Sequence, residues 1–264
     1  GVPAGAVAGA GTPTATAADR FGTAPIERGT TMTVGGTLTA TGVLLALILA
    51  AGAFGWTQVT QTSEWVEPIT GAVSPVDGWT LDNTTSIPGW LMIAMLVGLG
   101  LGLVTAFVPK AARFLAPLYA VAYGTVLGAI SAVYNNSWDG IVVQAVLATI
   151  GVVLAMFFLY ATRIIKVTPK YVAMVVAATF GILAMFVVGW IASIFGADIA
   201  FWNDPSPLGI GISLVIVIVA ALNLAIDFDF IEKASTAGVP RYMEWYGAFG
   251  VTVTIVWIYV SILR

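Results

Sequence analysis

The chain has 264 residues, of which 59% are hydrophobic and 9% charged, and its formal net charge is −3. Soluble domains carry about a quarter charged residues, so this composition excludes an ordinary soluble fold and indicates an integral membrane protein whose apolar side chains face lipid. The chain contains no Cys and no His, which excludes disulfides, thiol catalysis and His-held zinc or haem. We therefore expect no cofactor, and the small net charge gives no sign of nucleic-acid binding.

The first 32 residues are rich in Ala, Gly, Thr and Pro. This composition cannot bury enough apolar surface to fold alone. We predict a flexible N-terminal arm over residues 1–32, followed by a transmembrane domain over residues 33–264.

Seven windows after the arm are long and apolar enough to cross a bilayer, which takes about 20 residues. The sequence therefore predicts an all-α membrane protein, a bundle of seven transmembrane helices. The windows cover approximately residues 38–56, 90–108, 115–134, 141–161, 171–195, 207–227 and 243–263.

Charges in the connecting segments alternate with the predicted helices. Three segments are cationic, and the segments between them carry mainly acids. Because cationic loops stay in the cytoplasm, we predict a cytoplasmic N-terminus. The cations are Lys110, Arg113, Arg163, Lys166, Lys170, Lys233 and Arg241, and the acids are Glu64, Glu67, Asp77, Asp82, Asp139, Asp198 and Asp204.

Small residues recur at the spacing of packed transmembrane helices. Gly98 and Gly102 form one GxxxG pattern, and Gly124 and Gly128 form another. Such glycines let helix backbones approach closely, either inside the bundle or between two copies of the chain. Polar side chains within the windows are expected to hydrogen-bond between helices; they are Gln144, Thr252, Thr254 and Ser261.

Acids gather near the end of the sixth predicted helix. Asn223 and Asp227 lie four residues apart and share a helix face, whereas Asp229 points elsewhere. In one interpretation, Asp227 and Asp229 lie hydrated and ionised at the membrane interface, paired with Lys233 or Arg241. In the other, Asp227 faces the bundle interior, where its charged form is costly and needs a partner or a proton.

Glu244 opens the seventh predicted helix. A negative charge at this position is favourable beside the positive end of the helix dipole. A capping role and a functional role both remain open for Glu244.

Several segments of the chain resemble the Bax inhibitor family, also called transmembrane Bax inhibitor motif proteins, in its bacterial YccA-like branch. They occur in order and at compatible spacing, and the resemblance covers roughly residues 32–264. The segments are GAISAVY (128–134), GIVVQAVLAT (140–149), IKVTPK (165–170), IDFDFIEKA (226–234) and EWYGAFG (244–250).

The resemblance implies a bundle in which six helices surround the last, in a bacterial plasma membrane. It also implies, for some members, a pH-sensitive calcium leak in which two Asp of the last two helices share a proton and latch to a basic residue. Asp227 matches the first Asp and Lys110 the basic residue. The second position falls near residues 251–254, where the sequence has no acid. Asp229 and Glu244 are other acids that could substitute.

Two functions follow from this sequence. The protein is either a pH-sensitive cation leak or a non-catalytic accessory subunit that binds a larger membrane protein complex. We do not expect an enzyme, because the acid pair nearest the membrane, Asp227 and Asp229, diverges by about 200° on a helix and cannot converge on one substrate atom.

Overall fold

A computed structural model describes residues 31–66, 80–195 and 207–264. Within these ranges, seven helices are long and apolar enough to span a membrane, which confirms the predicted helix bundle. The predicted arm up to residue 30 and the acids Glu67, Asp77, Asp198 and Asp204 lie outside the described residues. The helices are α1 (Val34–Thr57), α2 (Trp90–Phe107), α3 (Ala112–Ser137), α4 (Ile141–Ala161), α5 (Pro169–Ile194), α6 (Pro207–Thr236) and α7 (Met243–Leu263), with a 3₁₀ turn at Pro109–Ala111 before α3.

Two features differ from the predicted elements. A β-hairpin joins α1 to α2, with β1 (Thr60–Val66) antiparallel to β2 (Thr80–Ser86) and Thr60 opposite Ser86. The sixth helix was predicted to end near Asp227, but α6 continues to Thr236. Its last turns are stabilised by an ion pair between Asp229 and Lys233, four residues apart and 2.6 Å from each other. Asp227 therefore lies within a continuous helix.

Glycines bring α1 and α3 into close contact. A Cβ atom on Gly128 would lie 1.9 Å from the carbonyl oxygen of Gly52, and one on Gly124 would lie 2.8 Å from the backbone of Ile48. The other GxxxG pair, Gly98 and Gly102, faces Tyr123 and Tyr119 of α3. Both patterns are thus used inside the bundle, and neither supports a contact with another protein.

The last helix belongs to both apolar cores of the bundle. Ala248 and Tyr259 pack in a core with α1 and α3, whereas Val251 and Ile258 pack in a second core with α6. Besides packing on α1, α3, α4 and α6, α7 reaches α2 through a hydrogen bond from Tyr246 to the carbonyl of Ala106. That six helices surround α7 stays a prediction, which these contacts favour.

The three cationic segments meet at one end of the bundle. The guanidinium of Arg163 lies 2.8 Å from the carboxylate of Glu232, close to the end of α6. Arg113 and Arg241 line one cavity. This grouping agrees with the charge pattern of the sequence, and the cytoplasmic orientation of this end stays a prediction.

Candidate functional site

Asp227 points from α6 towards α7. The hydroxyl of Thr254 donates a hydrogen bond of 2.6 Å to Oδ2 of Asp227. The other oxygen, Oδ1, lies over the backbone of Gly250, where an added Cβ would be 3.2 Å away. Of the two interpretations of this acid, the structure therefore favours the one in which Asp227 faces the bundle interior.

Asn223 lies one turn before Asp227 and makes contact with a different helix. Its amide donates to Oγ1 of Thr179 in α5 at 2.8 Å and to the carbonyl of Val219 at 2.9 Å. Asn223 and Asp227 together form a polar seam that joins α6 to α5 on one side and to α7 on the other. Thr179 was not singled out in the sequence, because a lone Thr in an apolar helix gives no distinctive pattern.

Thr254 was among the residues expected to bond between helices, and its contact with Asp227 confirms this. Thr252 was expected to do the same, and for Thr252 the prediction was wrong. Its hydroxyl donates to the carbonyl of Ala248 in its own helix at 2.7 Å. A buried threonine satisfies its hydroxyl on the preceding turn when no acceptor faces it.

Asp229 does not join Asp227. It pairs with Lys233 at the exposed end of α6, as expected for the interfacial interpretation. The neighbouring Glu232 accepts from Arg163 at 2.8 Å and from the hydroxyl of Tyr160, both on the α4 side of the bundle. Glu232 therefore joins α6 to the α4 side of the bundle, the Asp229–Lys233 pair lies within α6, and neither acid supplies a second carboxylate to Asp227.

Lys110 lies exposed on the 3₁₀ turn before α3. Within the described ranges, the ion pairs of Arg163, Lys233 and Arg241 do not include Lys110. The expected latch between Lys110 and Asp227 is not formed in this structure. The resemblance identifies Lys110 as the equivalent basic residue, but it does not determine whether this lysine contacts Asp227.

Glu244 is buried at the start of α7 and connects this helix to α1. Its Oε1 accepts from the backbone N–H of Thr33 at 3.0 Å and from the Thr33 hydroxyl at 2.9 Å. Gly36 leaves space for this carboxylate, since a Cβ there would lie 2.1 Å from Oε1. Besides its favourable place in the helix dipole, Glu244 therefore fixes the beginning of α1, a role that the sequence did not indicate.

Metal binding by clustered acids finds no support in the described ranges. Asp, Glu, His and Cys side chains there do not form any group of three or more that could hold an ion. The polar seam thus consists of one carboxylate, one amide and two hydroxyls rather than a preformed cation site.

One comparison with known proteins gives a match. A family model described as Bax inhibitor 1 like matches residues 10–264. Neither a curated protein nor a solved structure matches the chain. The family match begins well before residue 32, where the resemblance was expected to start, so it includes most of the predicted arm.

Proposed function

Since the chain belongs to the Bax inhibitor 1 like family, we propose that it is a pH-sensitive cation leak in which Asp227 holds α6 and α7 together. The observation that carries this proposal is the 2.6 Å hydrogen bond from Thr254 to Asp227. Calcium as the ion, the YccA-like branch and a bacterial plasma membrane with the cationic end in the cytoplasm are further parts of the proposal.

The proposed switch is the charge of one carboxyl group. An ionised carboxylate within a bundle is costly unless it is paired or hydrogen-bonded, and the hydroxyl of Thr254 supplies one such bond. When Asp227 takes up a proton, its carboxyl group no longer requires the Thr254 hydroxyl as a donor. The contact between α6 and α7 then weakens, and the two helices separate enough for a cation to pass.

Asp227 is the group whose protonation we propose to act as the switch between α6 and α7. On α7 it faces Thr254 and Gly250, which do not titrate. The acids that follow on α6, Asp229 and Glu232, are paired with Lys233 and Arg163. Protonation at this interface therefore acts through one carboxylate.

Thr254 lies in the region where the resemblance placed a second acid. Two close carboxylates titrate as a coupled pair, whereas a carboxylate beside a hydroxyl titrates as a single group. We therefore expect the leak to follow a titration curve with a single one-proton step, whereas a two-acid latch would titrate in two steps.

Calcium flux into liposomes that contain the purified protein tests the proposal. The parent is expected to leak more as the pH falls from neutral to acidic. Asp227→Asn, which cannot become charged, is expected to leak at a high, pH-independent rate. The matched control is Asp229→Asn, whose carboxylate pairs with Lys233 away from α7, and it should keep the parent's pH response. Equal flux through Asp227→Asn and the parent at every pH would end the proposal.

The accessory-subunit alternative rests on less than the sequence suggested. The glycine patterns that favoured a partner are occupied between α1, α2 and α3. Extraction in mild detergent followed by mass spectrometry separates the two functions, because an accessory subunit should be recovered with its complex.

A further inference from the structure

A cavity opens at the cationic end of the bundle, beside the first turns of α3 and α7. Its volume is about 370 Å³, and its lining consists of Arg113, Arg241, Tyr242, Glu244 and Trp245. The guanidinium groups of Arg113 and Arg241 and the rings of Tyr242 and Trp245 thus surround one cavity at this end of the bundle.

The carboxylate in this cavity is already engaged. Glu244 has 8% of its side chain exposed, and its Oε1 is occupied by the two donors of Thr33. The ion pair of Glu244 with Arg241 is long, since Nε of Arg241 lies 3.6 Å from Oε2, and 71% of the Arg241 side chain is exposed. One carboxylate therefore neutralises at most part of the charge of the two arginines.

Arg113 is not neutralised by an acid of the described chain. Its guanidinium lies over the ring of Phe114, with the ring centroid 5.9 Å from the guanidinium carbon. The positive end of the α7 helix dipole lies at this site, and Glu244 in the first turn offsets part of it. The cavity is thus electropositive and open to an anion.

We propose that this cavity binds the phosphate group of an anionic phospholipid. Arginine is suited to this ligand because its planar guanidinium donates two parallel hydrogen bonds to phosphate oxygens. Basic pockets between transmembrane helices are sites where anionic head groups bind. The proposal goes beyond the leak function and does not depend on Asp227.

Lipid rather than free phosphate is favoured by what surrounds the cavity. Trp245 and Tyr242 are residues that settle at the membrane interface. Phe114, next to Arg113, has 69% of its surface exposed. Its ring, with the centroid 5.9 Å from the Arg113 guanidinium carbon, gives the acyl chains of a bound lipid an apolar surface beside the phosphate site.

Native mass spectrometry of the full chain tests the proposal, with equal amounts of phosphatidylglycerol and phosphatidylcholine added in detergent. The parent is expected to retain phosphatidylglycerol preferentially. Arg113→Gln and Arg241→Gln are each expected to reduce its retention by about fivefold, which corresponds to one cationic contact. Lys166→Gln and Lys170→Gln are the matched controls, because both lysines are exposed at the same end but do not line the cavity.

Three results would overturn the proposal. The arginine variants could retain phosphatidylglycerol like the parent, or the lysine controls could lose it equally, which would mean general surface attraction. In the third, inorganic phosphate alone would raise the melting temperature of the delipidated protein and displace the lipid, so the site would take free phosphate. If an Arg→Gln variant does not fold, Arg113→Lys decides. It keeps the charge but loses the paired geometry, so at least a twofold loss is expected and unchanged retention would refute the site.

Discussion

The α1–α3 and α6–α7 interfaces are both close, but they are made in different ways. Between α1 and α3 the backbones touch, and a Cβ on Gly55 would lie 1.9 Å from the carbonyl oxygen of Thr125. Between α6 and α7 a side-chain hydrogen bond joins Asp227 to Thr254. The first interface has no space and no group that changes charge, so it is fixed. The second is held by a contact that a proton can alter, and it is the part of the bundle suited to movement.

The strongest test of this comparison is Gly128→Ala in the fixed interface. The added Cβ would overlap the carbonyl oxygen of Gly52, so the helices must separate. We expect the free energy of unfolding, measured by SDS titration in mixed micelles, to fall by about 2 kcal/mol or more.

Gly42→Ala is the matched control for this substitution. Gly42 lies in α1 with nothing within 4 Å of its added Cβ. It should be neutral or stabilise the protein by up to about 1 kcal/mol, because Ala favours helix. Equal effects of the two substitutions would show that the α1–α3 contact is not close.

The next largest effect is expected from Glu244→Ala, which removes the connection between α7 and the rigid α1. The two donors of Thr33 lose their part-buried acceptor, at a cost of about 0.5–1.5 kcal/mol, because Thr33 itself is exposed and water can replace the carboxylate. We also expect faster deuterium exchange at the amide of Thr33. Glu244→Gln keeps an oxygen acceptor and should lose less stability. A Glu244→Ala variant that is as stable as the parent, with the Thr33 amide equally protected from exchange, would contradict the role of Glu244.

The helix count and the grouping of cations could be predicted because both depend only on the order of apolar and charged residues along the chain. A run of about 20 apolar residues predicts a membrane span without knowledge of its neighbours. Loop charges gave the side of the bundle on which Arg113, Arg163 and Arg241 lie. The shared face of Asn223 and Asp227 likewise follows from helical periodicity alone.

The partners of the polar residues could not be predicted in the same way. Thr33 and Glu244 are 211 positions apart, and helical periodicity does not reveal which turns of two distant helices lie at the same depth. The same limit applies to Thr179, which Asn223 contacts from another helix. Lys110 was placed beside Asp227 by resemblance, but its position on an exposed turn depends on packing that one sequence does not contain.

A smaller effect is expected from the movable interface itself. A double-mutant cycle of Asp227→Ala and Thr254→Val, each of which removes the hydrogen bond, should give a coupling energy of about 0.6 kcal/mol, with about 1.7 kcal/mol as the upper value for such bonds in membrane proteins. Thr252→Val is the control on the same helix, since Thr252 bonds only the backbone of Ala248. Its coupling to Asp227 should be close to zero. If both threonines couple equally to Asp227, the hydrogen bond is not what joins α6 to α7.

The smallest effect concerns two helix ends beside the movable interface. After α4, Arg163 adopts a left-handed φ of 59°, and after α6, Gly238 does so at 67°. Both helices end in the same C-capping motif. In it, the backbone N–H of Arg163 donates to the carbonyl of Tyr160, and the backbone N–H of Gly238 donates to the carbonyl of Ser235. Only the glycine adopts this conformation without strain.

Arg163→Gly should therefore change the free energy of unfolding by less than about 1 kcal/mol. It relieves about 1 kcal/mol of backbone strain but loses an exposed ion pair with Glu232 worth about 0–1 kcal/mol. Arg163→Gln keeps the strain and loses the pair, so in the same SDS titration it should be the less stable variant. Because both variants lack the ion pair with Glu232, a glycine variant that is the less stable of the two would show that the left-handed backbone at Arg163 is not strained.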